Sequence, residues 1–417
     1  GIWVPLVSPE TLFKSVRQTV YEVNLENEKT KDEPDTSYIN KFYTASGSWR
    51  FAEAVIKFAK PALTKAVNDF VPPDDVLPFK NGLFDMVTGE FRAFRSEDNI
   101  LGTMNVEFDP SATAPLWEST ITYVTGGDPE IVRYFRQVLG YLCSTRTMRG
   151  VFFLVGEKST AKTTLITCLA EILGDRLAGP AQLGLIHHTK SFSEDEDMQR
   201  AAVALVGRRF CWMDETKKDA VIDAAKLKRI ASRDAVLTAR HLRHDAFSFT
   251  NKAKVVILSN HQPQLDPGDS AAWDRVIYLP FLVSIPKNER QEGFKDRLVL
   301  EGSGILNWLI AGFQDYSING FTSPAKMEEQ IAEWQLGDNP VAQFVEDRCL
   351  IHVDVKSSAV LLYEAYEGWR ITAGFDKDEG RMRSAGIFAK ALFNILGGKI
   401  ESVKSNGKRQ LKGISLK

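Results

Sequence analysis

The chain has 417 residues, and its 52 basic and 54 acidic side chains leave a formal net charge of −2. This composition indicates a globular protein of roughly two to four domains and excludes a polycation, so any nucleic-acid contact has to use local basic patches. No apolar run approaches the roughly 18 residues of a membrane span, no signal-peptide pattern is found, and the four cysteines form no C-x-x-C pair. Together these features predict a reduced, cytoplasmic protein with no membrane contact.

The first part of the chain is predicted to be mainly helical. Helical patterns occupy Pro9–Asn27, Trp49–Ala66, Trp117–Tyr123 and Pro129–Leu142. Between them, the alternating stretch that begins at Pro78 contains Asn81-Gly82, which predicts short strands or a hairpin. Residues 148–283 then alternate strand and helix patterns, which favours an α/β core.

Residues 151–164 read VFFLVGEKSTAKTT and are the most informative stretch of the chain. An apolar run from Val151 to Val155 predicts a strand, a short polar loop follows Gly156, and a helical pattern runs from Leu165 to Leu173. This order is that of a phosphate-binding loop, G-x-x-x-x-G-K-[ST], with Ala161 where the pattern has glycine. Alanine is a good helix former, so we expect it to fit if position 161 already has helical dihedrals. On this loop alone, a chance match to a degenerate pattern is the alternative.

The chemistry of a nucleoside triphosphate explains the residue types in this loop. Backbone N–H groups at the start of a helix point at the phosphates, and the helix dipole adds positive potential. Lys162 would reach the β- and γ-phosphates of ATP, and the Thr163 hydroxyl would bind Mg²⁺. The predicted nucleotide-binding residues are Gly156, Glu157, Lys158, Ser159, Thr160, Ala161, Lys162, Thr163 and Thr164.

Three later segments end or begin in polar residues next to an apolar strand pattern. The run from Arg209 ends in Asp214 and Glu215; Asp214 would hold Mg²⁺ and Glu215 would orient or deprotonate the attacking water. The strand pattern from Lys254 ends in Asn260, whose amide can bond that water or the γ-phosphate. Arg275 precedes another buried strand and in a ring ATPase can reach a neighbour's γ-phosphate. The structural alternatives are a plain strand end, a turn and a salt bridge.

A basic stretch between these segments predicts a hairpin. Its arms would be 237–240 and 247–249, with Arg243 and His244 near the tip. Such a tip can follow the phosphates of a single strand without reading sequence. The candidate DNA-binding residues are Arg240, Arg243, His244 and Lys252. A solvated charged face is equally compatible with the charge pattern.

The remainder of the chain is predicted to form helices from Ile305 to Gln314 and from Met327 to Trp334. A small helical unit follows from Leu350, and strand-like runs occupy Lys399–Ile414. Lysines in these last runs can contact DNA or lie on a solvated tail.

Taken together in this order, the motifs resemble those of superfamily 3 helicases, above all the helicase half of phage, plasmid and poxvirus primase-helicases. GEKSTAKTT stands at the Walker A position, ALVGRRFCWMDE (204–215) at Walker B, KVVILSNHQP (254–263) at motif C and DSAAWDRVIYLPF (269–281) at the arginine-finger segment. The stretch 227–249 resembles the motif that carries the DNA-tracking hairpin, and FKNGLFDMVTGEF (79–91) resembles the domain before the ATPase. Two positions depart from the family pattern: Ala161 replaces glycine, and Asp274 stands where an Arg pair is often found, which leaves Arg275 as the finger candidate.

The resemblance implies an AAA+-like P-loop ATPase core at 138–285. A mainly helical N-terminal domain at 1–137, a helical extension at 286–347 and a winged-helix-like α+β domain at 348–417 would surround it. It also implies an ATP- and Mg²⁺-dependent DNA helicase that moves 3′→5′ on single-stranded DNA as a homo-hexamer and acts on forked DNA. Lys162, Asp214, Glu215 and Asn260 would come from one subunit and Arg275 from its neighbour. The setting would be phage or plasmid replication in the cytoplasm of a bacterial host. Because the chain starts with Gly1, a primase or polymerase domain is expected upstream.

Two other functions are compatible with the sequence. A DNA-binding or loader module could use ATP only to assemble on DNA; Ala161 and Asp274 favour it, whereas Glu215 argues against it. A P-loop kinase would leave the basic hairpin and the arginine segment unexplained.

Overall fold

A computed structural model of the protein describes residues 48–63, 73–100, 102–187, 194–214, 222–262, 269–337, 339–375, 384–405 and 408–417, with single positions at 14, 16, 18, 19, 22 and 265. The protein is α/β, with a parallel five-stranded sheet and several helical segments. Most of the predicted helix Pro9–Asn27 lies outside the described residues, although the five positions described within it are helical.

The segment before the large sheet combines a small antiparallel sheet with helices. Its elements are α1 (Trp49–Leu63), β1 (Val76–Phe79), β2 (Gly82–Asp85), β3 (Phe91–Arg92), α2 (Pro115–Val124) and α3 (Pro129–Leu142). β1 and β2 pair through the turn at Asn81, as the sequence predicts, and β3 pairs with β2. Glycine is needed at Gly82 because a Cβ there would lie 2.5 Å from the carbonyl oxygen of Arg92.

The large sheet and its connections follow. They comprise β4 (Val151–Gly156), α4 (Lys162–Leu173), β5 (Ala178–Pro180), α5 (Glu194–Ala202), β6 (Phe210–Asp214), α6 (Ala224–Ile230), β7 (Val236–Arg240), β8 (Ala246–Thr250), β9 (Lys254–Ser259), α7 (Ser270–Trp273) and β10 (Val276–Phe281). The strand order is β10-β4-β9-β6-β5, and every pairing is parallel. All six residues of β9 are buried, as expected where helices cover both faces of a parallel sheet.

Three helices close the core of the sheet: α8 (Phe294–Leu300), α9 (Gly302–Asn319) and α10 (Ala325–Gly337). α9 crosses α3 at very short range. A Cβ on Gly140 would lie 2.3 Å from the carbonyl oxygen of Leu309, and one on Gly312 would lie 2.0 Å from that of Arg136. One continuous apolar core therefore runs from Leu77 to Met327 and joins the small sheet to the large one. The predicted domain limit at 137/138 falls within α3, and the four-part division stays a prediction.

The C-terminal elements have their own apolar core, from Val341 to Ile414. They are α11 (Pro340–Arg348), β11 (Cys349–Ser358), α12 (Ala359–Thr372), α13 (Ala385–Leu396), β12 (Glu401–Ser405) and β13 (Lys408–Leu416), with strand order β11-β13-β12. The strand-like runs predicted near the C-terminus are confirmed. The helical interpretation is wrong from Leu350 to Ser358, because this segment pairs as a strand with β13.

The four cysteines are free and buried, which confirms their interpretation as core residues. Burial raises the pKa of the Cys211 thiol to about 11, so this sulfur is protonated at neutral pH. Within the ranges described above, no helix combines the length and the apolar character needed to cross a bilayer.

Candidate functional site

The turn between β4 and α4 has the shape of an anion-binding loop. β4 ends at Gly156 and α4 begins at Lys162, which confirms the predicted strand-loop-helix order and starts the helix three residues earlier than expected. Ser159 and Ala161 both have a φ of 65°. Turns with left-handed residues can aim successive backbone N–H groups at one point, which creates a concavity for an anion.

The N-terminus of α4 adds to this concavity. No side chain caps the first turn of α4, which also lacks acidic residues. By contrast, the Asp128 carboxylate caps α3 and the Asn339 amide caps α11. The first N–H groups of a helix have no partner within the helix and carry positive potential. The start of α4 is therefore suited to an anionic ligand such as a phosphate.

Ala161 does not have the helical dihedrals under which alanine would fit this position without strain. It is the residue before the first turn of α4, with φ 65° and ψ 10°, in the left-handed region. Residues with a Cβ are disfavoured there, and glycine is not. The structure thus explains why the motif has glycine at this position, and it identifies Ala161 as a strained residue rather than a helix former.

The Lys162 side chain lies folded over the loop. Its Nζ donates to the carbonyl oxygens of Gly156 at 2.6 Å and Glu157 at 2.8 Å, and to the Thr160 hydroxyl at 3.0 Å. It also reaches the Oδ1 atom of Asn260 at 3.3 Å. Burial lowers the pKa of the Lys162 ammonium to about 8, so its charge is retained at pH 7 but lost in moderately basic solution.

The strand order brings the polar strand ends to one edge of the sheet. β9, which precedes Asn260, lies between β4 and β6, and Asp214 is the last residue of β6. The carboxyl ends of parallel strands meet at the same edge, so Asp214 and Asn260 lie on the side of the loop. Both are exposed, as is Thr163 in the first turn of α4. Glu215 lies outside the described residues.

Arg275 lies at the opposite edge. It immediately precedes β10, and Phe281 at the other end of β10 pairs with Gly156. Six strand residues separate Arg275 from its own loop, a distance of about 20 Å. One guanidinium nitrogen donates to the carbonyl oxygen of Ala271, whereas the buried Nε atom has no partner among the described residues.

The predicted basic hairpin is confirmed. β7 and β8 pair antiparallel from Val236 opposite Thr250 to Arg240 opposite Ala246. Arg240 donates to the carbonyl oxygen of His244 at 3.1 Å, which closes the tip. Arg243, with φ 62°, and His244 are exposed in that tip.

Lys252 is separated from the other candidate DNA-binding residues. It follows the base of the hairpin, where Val236 lies opposite Thr250, and pairs with Asp234 at 3.1 Å. Arg240 lies four strand residues beyond that base, or about 13 Å from it. The sequence grouped these cations by their spacing along the chain, which does not show which end of a hairpin each one occupies.

A contact that the motifs did not reveal supports the loop from outside. The Ser284 hydroxyl donates to the carbonyl oxygen of Lys158 at 3.1 Å, and the N–H of Ile285 donates to that of Ser159 at 2.8 Å. No sequence signal could have found it, because backbone carbonyls accept both bonds and the partners lie far apart in the chain.

A parallel sheet with a phosphate-loop turn between strand and helix is consistent with a P-loop ATPase core. Residues 6–126 match the family model described as D5 N terminal like, and residues 154–275 match the one described as Family of unknown function (DUF5906). The chain is thus similar to the D5_N/DUF5906 family of primase-helicase proteins, which confirms the resemblance seen in its motifs.

Several viral proteins are similar to parts of the chain. "Putative helicase V13" of Sputnik virophage is 23% identical over 185 residues, which cover 42% of this chain and 24% of that protein. "Putative primase C962R" of African swine fever virus is 29% identical over 144 residues, 33% of this chain and 15% of the relative. "Putative helicase 121R" of Invertebrate iridescent virus 3 is 24% identical over 214 residues, which cover 49% of this chain and 22% of that protein. The chain thus matches about a quarter or less of each relative.

Among solved structures, the A form apo structure of the NrS-1 C terminal region is similar over 74% of this chain and 78% of that chain. The identity is 13% and the TM-score is 0.41.

Proposed function

We propose that this chain is the ATPase part of a DNA helicase that uses ATP to translocate on single-stranded DNA and to unwind duplex DNA during phage or plasmid replication. The observation that carries the proposal is the β4–α4 turn. Its left-handed residues, the uncapped start of α4 and the Lys162 ammonium all favour a polyphosphate in one place. The names of the viral relatives support helicase or primase chemistry.

ATP and Mg²⁺ fit the residues at this edge of the sheet. Residues 156–164 would surround the phosphates, and Lys162 would move from the loop carbonyls to the β- and γ-phosphates. Mg²⁺ prefers hard oxygen ligands and retains several waters, so the Thr163 hydroxyl and the Asp214 carboxylate suffice beside phosphate oxygens. Among the described residues, no group of three or more His, Cys, Asp or Glu side chains is arranged to hold a metal by itself. Bound Mg²⁺ would neutralise charge on the phosphates.

Asn260 and Glu215 would act on the attacking water. Asn260 already contacts Lys162, so its amide is close to where a γ-phosphate would lie. Glu215 follows Asp214 directly in the chain, and a carboxylate there would accept a proton from the water or orient it.

Arg275 supports a ring, and we propose a homo-hexamer. At about 20 Å from its own loop, it cannot serve that loop. In a ring it would reach the γ-phosphate of the adjacent subunit, so ATP would bind between subunits. An AAA+-like core, in which β9 would be the strand inserted between β4 and β6, would agree with this arrangement.

The β7–β8 hairpin would contact single-stranded or forked DNA. Its tip presents Arg240, Arg243 and His244 to solvent, and contacts to phosphates alone would allow movement along any sequence. Movement with 3′→5′ polarity, a winged-helix-like C-terminal domain and a primase or polymerase domain upstream complete the proposal by analogy with the family.

The second candidate is a loader that assembles on DNA with ATP but does not unwind it. The strained conformation of Ala161 favours it, since strain in the loop lowers the affinity for nucleotide. ATP hydrolysis with and without single-stranded DNA, together with strand displacement on a forked duplex, separates the two. A helicase requires DNA-stimulated hydrolysis that Lys162→Ala abolishes, together with displacement. Hydrolysis without displacement identifies a loader, and hydrolysis unaffected by Lys162→Ala overturns both.

A further inference from the structure

The segment after β10 forms a tether on the outside of the nucleotide-binding loop, which we define as residues 282–285. Its first residue is fixed to α2, because the N–H of Leu282 donates to the carbonyl oxygen of Val124 at 2.7 Å. Its last two residues hold the loop through the Ser284 hydroxyl and the Ile285 N–H. The preceding residue, Phe281, presses so closely on Gly156 that a Cβ there would lie 2.3 Å from the Phe281 carbonyl oxygen.

The tether acts on the part of the loop that needs outside support. Ser159 and Ala161 are left-handed without being glycine. Such conformations persist only where surrounding contacts determine them. The two tethered carbonyls belong to Lys158 and to Ser159 itself.

The geometry of the peptide unit links the tether to phosphate binding. In a planar trans peptide, the C=O of one residue points away from the N–H of the next. A bond that holds the Lys158 carbonyl toward Ser284 therefore directs the N–H of Ser159 to the other side of the loop. The bond from Ile285 does the same for the N–H of Thr160.

From this geometry we infer that Ser284 is a positioning residue for the nucleotide: it touches no phosphate, and it holds the loop so that the N–H groups of Ser159 and Thr160 face the phosphates of a nucleoside triphosphate. The inference rests on the proposed ATPase function. Its distinctive consequence is a selective effect on nucleotide binding, since Ser284 does not contact the reacting atoms.

The test is the steady-state ATP hydrolysis of Ser284→Ala in the full chain, with KM and kcat measured separately. Loss of one hydroxyl–carbonyl bond at the loop is expected to raise KM about three- to tenfold and to leave kcat within about twofold, because the catalytic groups are untouched. Ser284→Thr keeps the hydroxyl and should restore KM. The matched control is Ser303→Ala, which removes a hydroxyl bond of 2.7 Å to the carbonyl oxygen of Glu107, away from the loop.

A second experiment, in which Ser284→Ala is combined with Ala161→Gly, distinguishes a positioning role of Ser284 from a general loss of stability. Ala161→Gly relieves the strain in the loop, so Ser284→Ala should raise KM less in that background than in the native one. A global loss of stability would instead lower the active fraction, and hence kcat, equally in both. Unchanged KM in Ser284→Ala, or an equal rise in Ser303→Ala, overturns the inference while the ATPase stands. A native chain that neither binds nor hydrolyses ATP overturns the proposed function itself.

Discussion

Replacement of Ala161 by glycine should stabilise this protein, although glycine in a helical sequence ordinarily destabilises. Ala161 has φ 65° and ψ 10°. A residue with a Cβ loses about 1–2 kcal/mol of stability in the left-handed region. Glycine avoids this loss but lowers the stability by about 0.5–1 kcal/mol, because the unfolded chain gains conformational freedom. The net expectation for Ala161→Gly is a gain of about 0.5–1 kcal/mol.

Thermal unfolding provides the measurement. Because the C-terminal elements have an apolar core of their own, the chain need not unfold in one step, so the shift should be read on the transition that an ATP analogue moves. Ala170→Gly is the matched control, because Ala170 lies inside the same helix, α4. There glycine should lower stability by about 1 kcal/mol.

The sign of the stability change in Ala161→Gly shows whether Ala161 is strained. If Ala161→Gly lowers stability as Ala170→Gly does, position 161 is helical in solution and the strain argument is wrong. The affinity for the ATP analogue offers a second measurement. Relief of about 1 kcal/mol can raise affinity by no more than about fivefold, and a loss of affinity would contradict the argument as well.

Three further predictions concern charge and packing. ATP affinity should fall about tenfold between pH 7 and pH 9, because Lys162 has a pKa of about 8 and only its charged form attracts phosphate. Titration with an ATP analogue at each pH measures this, and the dependence of affinity on pH should vanish in Lys162→Met. Arg243→Ala should weaken binding to single-stranded DNA and reduce the slope of log affinity against log salt concentration by about one unit. Lys252→Ala, at the hairpin base, should leave the affinity and the slope nearly unchanged in anisotropy titrations. Equal losses in the two variants would contradict the separation of these residues in the hairpin. Gly140→Ala should destabilise the core by about 1–3 kcal/mol in denaturant unfolding, because the added carbon would collide with α9. Gly368→Ala, which has nothing within 4 Å of the added carbon, should instead stabilise α12 by about 0.5–1 kcal/mol. Similar values for the two variants would refute the close helix contact.

The elements around the candidate site were predictable because local patterns determine them. An apolar run that ends in Gly156 and one that ends in Asp214 are strands for reasons present in a few consecutive residues, and the structure has both. The hairpin arms likewise alternate between buried and exposed residues, which is the signal of a half-buried strand.

Other features depend on residues distant in the sequence and could not be predicted. β11 is an exception: apolar Ile351, Val353 and Val355 alternate with polar residues, and the helical interpretation missed this strand signal. The position of Lys252 depends on a pairing with Asp234 at the hairpin base. The Ser284 bond joins segments that no motif connects.

Ala161 shows how these two kinds of information combine in one site. Glycine permits a left-handed residue before a helix but does not enforce it. In this chain alanine occupies the position and φ is still 65°, so the conformation has to come from contacts around the loop. Those contacts are the Lys162 bonds to the carbonyls of Gly156 and Glu157 and the tether at residues 284 and 285. The contacts around the loop therefore determine its shape, and we expect the departure from the motif to change the strength of nucleotide binding rather than the geometry of the loop.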